Sequence, residues 1–151
     1  MNDTVCAYLA GYLERGGAVR IYVNRSGGDK SPPAIETSLG EMSPIESAGI
    51  YVRVRARDAT VPRLLKGYFD GNLTEGQWQG WNEDAATLLR AIGPYLRTGK
   101  RKAVVRLVLE FHEVMREKRE IARGMPLFFT AEEVEVVARY EATLREITGS
   151  R

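Results

Sequence analysis

Two short segments alternate with period two, and this alternation constrains the fold more than any other feature of the chain. In the first, Val19, Ile21 and Val23 alternate with Arg20, Tyr22 and Asn24. In the second, Ile50, Val52, Val54 and Ala56 alternate with Tyr51, Arg53, Arg55 and Arg57. Successive side chains of a strand point to opposite faces, so each segment has one apolar and one polar face. A sheet of such strands rests on a core with one side only, which is the habit of antiparallel sheets. Its apolar side needs helices to cover it.

Helical periodicity supplies them. Residues 4–15 carry Val5, Leu9, Tyr12 and Leu13 on one side, and Gly16 and Gly17 end the helix. A second stripe, Ala7, Ala10, Gly11 and Glu14, is built largely from small residues that let another backbone come close, so it is a candidate helix–helix interface. Thr60 and Pro62 predict a short helix over residues 61–66, with Thr60 as its cap. Asp70, Gly71, Glu75 and Gly76 punctuate two short strands near residues 72–74 and 77–81. Asn82 is expected to cap a helix over residues 83–92, stopped by Gly93 and Pro94. A long helix should follow over residues 100–123, burying Val104, Leu107, Val108, Phe111, Val114 and Met115. Thr130 and Glu133 form a capping box that opens a last helix reaching residue 147. The stretch from Arg25 to Ala48, rich in Gly, Ser and Pro, reads as a long functional loop. The order is α-β-β-α-β-β-α with further helices, an α+β architecture expected to form one domain over residues 1–151.

The same sequence removes several classes of function. No apolar run approaches the roughly 18 residues of a membrane span, so no membrane partner is expected. Asp3 precedes a short amphipathic segment without a cleavage pattern, so no secretory signal is read. The expected location is intracellular, in cytoplasm, nucleoid or organelle. Cys6 is the only cysteine and is expected as a small buried hydrophobe. His112, the only histidine, lies among Glu110, Glu113 and Arg116 and is expected at the surface. One His and one Cys cannot build a His/Cys metal site, and a nucleophile triad lacks a placed base. Ser26, Gly27 and Gly28 do not lead from a strand into a helix, as a phosphate-binding loop must.

Charge placement is more informative than the net charge of +2. Residues 131–146 are acidic, whereas Arg53, Arg55 and Arg57 are expected on one strand face about 7 Å apart, where they repel unless an anion bridges them. Arg20, Tyr22 and Asn24 would join them on the neighbouring strand, with Gln77 and Gln79 farther across. Arginine pairs with guanine edges and Asn or Gln with adenine edges, so this palette suits double-stranded DNA read in the major groove. Lys100, Arg101 and Lys102 sit at a helix start, where the dipole disfavours each cation by about 0.3–1 kcal/mol. A phosphate on the free N–H groups there would reverse the penalty. Together with Arg25 and Lys30, they are candidate contacts to the DNA backbone.

Residues 8–17, Tyr-Leu-Ala-Gly-Tyr-Leu-Glu-Arg-Gly-Gly, resemble the motif helix of the LAGLIDADG homing endonucleases, with Leu9, Ala10, Gly11 and Gly17 in place. Ile92 to Leu96, then Ala103 and Leu107 to Phe111, look like the family's "I-x-PYL…K-x-x-QA-x-L-x-LEF" segment. Trp78 and Phe69-x-Gly71 also fit the family pattern. The similarity covers about residues 7–115 and leaves 116–151 as a helical extension. It implies the LAGLIDADG αββαββα fold and a homodimer of single-motif chains joined through their motif helices. It also implies saddle-shaped sheets on a pseudo-palindromic site of roughly two helical turns. Active members place an acid from each motif helix where the pair binds Mg²⁺, which takes hard oxygen ligands. That position is Gly16 here, and the family's active-site lysine falls on Gly99. No catalytic residue is therefore assigned and no cofactor is expected. Glu14 is the fallback acid and Mg²⁺ ligand, about 200° away around the helix. The resemblance thus implies a nuclease-impaired, sequence-specific DNA binder or regulator. The alternatives are an active Mg²⁺-dependent endonuclease using Glu14, an intron-RNA maturase that binds RNA, or a chain that pairs with a catalytically intact relative.

Overall fold

The computed structural model describes residues 1–26 and 34–149. Lys30, expected to touch the DNA backbone, lies outside the described residues. Along the chain come α1 (Asp3–Gly16), β1 (Gly17–Arg25), β2 (Ile35–Thr37), β3 (Gly40–Met42) and β4 (Ile45–Arg55). After these come α2 (Thr60–Phe69), β5 (Asn72–Thr74), β6 (Gln77–Trp81) and α3 (Glu83–Ile92). A 3-10 turn (Gly93–Tyr95), α4 (Gly99–Ala122) and α5 (Ala131–Thr148) complete the chain. The α+β architecture expected from the two periodicities is the one observed.

Four strands form an antiparallel sheet in the order β1-β4-β6-β5, and β2 and β3 form a separate hairpin. Helices cover one face. Val19, Ile50, Val52, Val54 and Trp78 meet Leu9 and Leu13 of α1, Leu65 of α2, Leu88 and Leu89 of α3, and Val104, Val108 and Phe111 of α4. Val134 and Val137 bring α5 into the same cluster. Each Leu or Val taken fully out of water here contributes about 1.5–3 kcal/mol.

α1 passes into β1 without a loop. Gly17 is extended (φ −83°, ψ 146°) and its N–H donates to Leu13 O. A Cβ on Gly17 would lie 2.4 Å from Leu13 Cδ1 and 2.8 Å from Leu13 O, so only glycine fits this junction. α5 opens with the predicted capping box between Thr130 and Glu133. α4 is capped by Thr98, whose hydroxyl accepts from Arg101 N at 3.3 Å. It closes at Arg123 and Gly124, both with positive φ.

Several local expectations are corrected. The stretch from Arg25 to Ala48 is not one long loop: it holds the β2–β3 hairpin, and β4 begins at Ile45. A register shift between Asn24 and Arg25 breaks the alternation that would have revealed the longer strand. β4 ends at Arg55, so Arg57 lies beyond the strand. Thr60 is the first residue of α2 and not its cap: the N-cap position is Ala59, and Asp58 Oδ1 accepts from Thr60 N (2.9 Å) and Thr60 Oγ1 (2.7 Å). Val114 is exposed and Val105 is buried in its place, a small rotation of the apolar stripe on α4. His112 is not at the surface: it is 1% exposed, with Nε2 3.0 Å from Glu83 Oε2. Ala10, assigned to the outward stripe of α1, is 1% exposed and belongs to the core.

Candidate nucleic-acid interface

The register decides which polar side chains share the open face of the sheet. Directly opposed residues of antiparallel strands point to the same side. Arg20 opposes Tyr51, Tyr22 opposes Gly49 and Asn24 opposes Ser47. Arg53 opposes Gln79, Arg55 opposes Gln77 and Tyr51 opposes Trp81. Asn72 and Thr74 of β5 oppose Gln79 and Gln77. The structure thus gathers Arg20, Tyr22, Asn24, Arg53, Arg55, Gln77 and Gln79 on one face, and none of the residues paired in register there is acidic.

The face has two halves. Arg55 stands beside the end of α1, and with it go Gln77, Arg53 and Gln79, while Arg20 opposes Tyr51 where the halves meet. Arg55 Nε donates to Gln77 Oε1 at 2.7 Å. The side chains of Arg20, Arg53 and Gln79 have no hydrogen-bond or ion-pair partner among the described residues. The far half is aromatic: the Trp81 ring lies 5.3 Å from Tyr22 and 4.2 Å from Tyr51, centroid to centroid. Asn82 Nδ2 donates to the Tyr22 hydroxyl at 3.0 Å, and Asn24 Nδ2 donates to Ser47 Oγ at 2.7 Å. Trp78 and Trp81 read from the sequence as core and rim residues, with base stacking as the lesser option for them, and Trp78 is buried while Trp81 is exposed. Tyr51, Ser47, Asn72 and Thr74 were not singled out as candidates from the sequence. Tyr51 stands in the same alternation as Arg53 and could have been found there; the others become visible only with the register.

Asn82 does not cap α3 with its side chain. Its Oδ1 accepts from Ile50 N and from Arg119 Nη2, both at 3.2 Å, so it ties the sheet to α4. A Cβ on Gly49 would meet that oxygen at 2.0 Å and the Tyr22 hydroxyl at 2.7 Å.

The expected backbone contacts divide differently. Arg25 pairs with Glu141 of α5. Lys100 Nζ donates to Thr148 O (3.2 Å), and Arg101 Nη2 donates to Gly17 O (3.0 Å). These three cations serve to hold α5 and β1 in place, whereas the Arg57 and Lys102 side chains are exposed without a partner among the described residues. None of the cations Arg20, Arg53 and Arg55 on the open face, nor Lys100, Arg101 and Lys102 at the start of α4, has an ion-pair partner among the described residues, and on the open face the paired neighbours are free of acids as well.

At the end of α1, Gly16 has room. A Cβ there would come no closer than 4.0 Å to anything, the nearest atom being Arg55 O, and Gly99 has nothing within 4 Å. Glu14 is already occupied. Its Oε1 accepts from the backbone N–H groups of Arg97 and of Thr98 (3.1 Å). The Arg97 N–H, then that of Thr98, hold its carboxyl below the ordinary 4.5. No group of three or more His, Cys, Asp or Glu among the described residues could hold a metal ion. Mg²⁺ asks for several hard oxygen ligands in octahedral array, and within α1 the acid nearest the helix end is Glu14.

The outward side of α1 retains Ala7, Gly11 and Glu14. With Tyr8, Tyr12, Arg15, Tyr95 and Arg97 they line a groove of about 610 Å³. Tyr95 donates to Asp3 Oδ1, and that carboxylate pushes the phenol up to about 12.

This chain has the fold of the homing endonucleases. The crystal structure of the homing endonuclease I-CvuI, in complex with its target (Sro1.3) in the presence of 2 mM Ca, matches 95% of this chain and 82% of its own. The TM-score is 0.55 at 14% sequence identity, a likeness of fold. A second I-CvuI structure, with the I-CreI target (C1221) in 2 mM Mg and its DNA not cleaved, covers 92% of this chain and 95% of its own. Its TM-score of 0.46 at 14% identity is too loose to carry an argument. No protein-family model and no curated protein matches the sequence.

Proposed function

We propose that two copies of this chain bind double-stranded DNA through the open face of the β1-β4-β6-β5 sheet, reading a pseudo-palindromic site that they do not cut. The observation that carries this reading is the face itself. Arg20, Arg53, Arg55, Gln77 and Gln79 stand together in register with no acidic residue among their paired neighbours. Guanidinium groups so placed need acceptors from outside, and Arg and Gln are the side chains that read guanine and adenine edges in the major groove. From Ser47 to Arg55 the face extends about 26 Å at ~3.3 Å per residue. That length spans roughly eight base pairs at ~3.4 Å each. The structural neighbour, I-CvuI, is itself bound to its target DNA.

Dimerisation would bring two α1 grooves together about a twofold axis, so that two half-sites are read symmetrically. At the junction neither copy offers a carboxylate at position 16, and each Glu14 is engaged by its own Arg97 and Thr98 N–H groups. The absence of an oxygen ligand at position 16 in either copy is what supports a reading without cleavage. Binding, orientation and release are the steps left to this chain, as suits a regulator or a sequence-specific binder.

The test is selection from a randomised duplex library in Mg²⁺, with bound molecules sequenced and all new ends mapped. Enrichment of an intact pseudo-palindrome of about 20 base pairs is the expected result. Paired breaks at its centre would overturn the non-cutting part. Failure to enrich any duplex, with structured RNA bound instead, would overturn the DNA reading.

A further inference from the structure

Two cross-strand pairs of identical composition lie side by side on the open face, and they differ in one respect. Arg55 stands opposite Gln77, and Arg53 stands opposite Gln79. Only the first pair is closed, by the 2.7 Å hydrogen bond from Arg55 Nε to Gln77 Oε1. A guanidinium carries five N–H donors in one plane. With Nε–H committed to Gln77, that plane is fixed, and the donors left over are those of Nη1 and Nη2. They form an end-on fork of parallel N–H bonds.

Such a fork matches two acceptors side by side, as guanine presents with O6 and N7 in the major groove. Adenine presents an acceptor beside a donor and cytosine a donor alone, so each would set one N–H against another. The fork is also prepared in advance: the side-chain entropy that an arginine loses on binding has already been given up in part to Gln77. Arg53, whose side chain has no partner among the described residues, lacks this preparation.

Position adds the second half of the inference. The Arg55 carbonyl is the atom nearest to a Cβ built on Gly16, at 4.0 Å, so Arg55 stands beside the end of α1. In a dimer joined through α1, it is the innermost arginine of each reading face. We propose that Arg55, positioned by Gln77, reads a guanine at the innermost base pair contacted by each copy. The site would then carry a G·C pair at two symmetry-related positions flanking its centre. This rests on the duplex-binding reading above and adds a base identity to it.

The competing use of Arg55 is a phosphate contact, which carries no sequence preference. Equilibrium binding of the full chain separates the two. The enriched duplex is prepared with each of the four base pairs at the innermost position. It is titrated with wild type, Arg55→Ala, Gln77→Leu and Gln77→Glu at two salt concentrations, with circular dichroism confirming each fold. Wild type should favour G·C there by about tenfold. Arg55→Ala should abolish that preference and leave the others in the site intact. Gln77→Leu should weaken it, and Gln77→Glu, which keeps the acceptor oxygen, should restore it. A purely structural role for Gln77 would not change the preference at one base pair alone. An Arg55→Ala variant that loses affinity equally for all four duplexes, with a shallower salt dependence, would overturn the guanine assignment and leave duplex binding standing. Absence of duplex binding by the wild-type chain would overturn both.

Discussion

At the scale of residues, Glu14 and Gly17 show how tightly the end of α1 is specified. The Glu14 carboxylate fastens α1 to the start of α4 through the N–H groups of Arg97 and Thr98. Its ionised form is the one these donors favour, so its pKa lies below the ordinary 4.5 in the folded chain. A carboxyl depressed on folding adds stability that is fully present above its unfolded value. That stability is lost as pH falls through the folded value. Glu14→Gln should therefore be less stable than wild type at pH 7, and the gap should close as pH falls below 4.5. Urea unfolding of both chains across that range checks it. A gap independent of pH would mean that the ionised carboxylate does not hold the junction. Both N–H groups donate to Oε1, so the brace fixes where the Glu14 carboxylate stands.

At the scale of elements, α5 is the clearest addition to the part of the chain that resembles the endonuclease motif pattern. Its N-terminus is fixed by the Thr130–Glu133 capping box, and Glu141 farther along pairs with Arg25 of β1. The ion pair is partly exposed and contributes little on its own. The cap matters more. Thr130→Ala should cost about 1 kcal/mol, read as a lower urea midpoint at unchanged slope; an unchanged midpoint would place the stability of α5 wholly in Val134, Val137 and their neighbours. The capping box was legible in the sequence because its residues are local, and β5, β6 and α3 were legible for the same reason. The length of β4 was not, because Glu46, left unpaired where the register shifts opposite Asn24 and Arg25, interrupts the pattern. Nor was the burial of His112 and Ala10, since both depend on how α4 and α1 roll against the sheet. The members of the reading face were legible as a list of side chains, whereas the closed Arg55–Gln77 pair and the aromatic half required the register.

At the scale of the whole molecule, the proposed dimer turns on the outward side of α1. Gly11 has nothing within 4 Å of where its Cβ would stand, so a larger residue there fits the single chain. It would not fit between two helices brought close together. Gly11→Trp should therefore keep its circular dichroism spectrum while sedimenting as a monomer and losing affinity for a palindromic duplex. A variant that still sediments as a dimer would move the interface elsewhere. The sheet order narrows the choices from the other direction. Its two rims are the places where a sheet invites a stranger to add a strand. One rim, β5, is only three residues long. Along the other, β1 is flanked by α5, with Glu141, Leu144 and Arg145 lining a cleft against residues 17–21. A sheet blunted at both rims resists growing into a filament by strand addition, which leaves the outward side of α1 as the surface the proposed dimer would use.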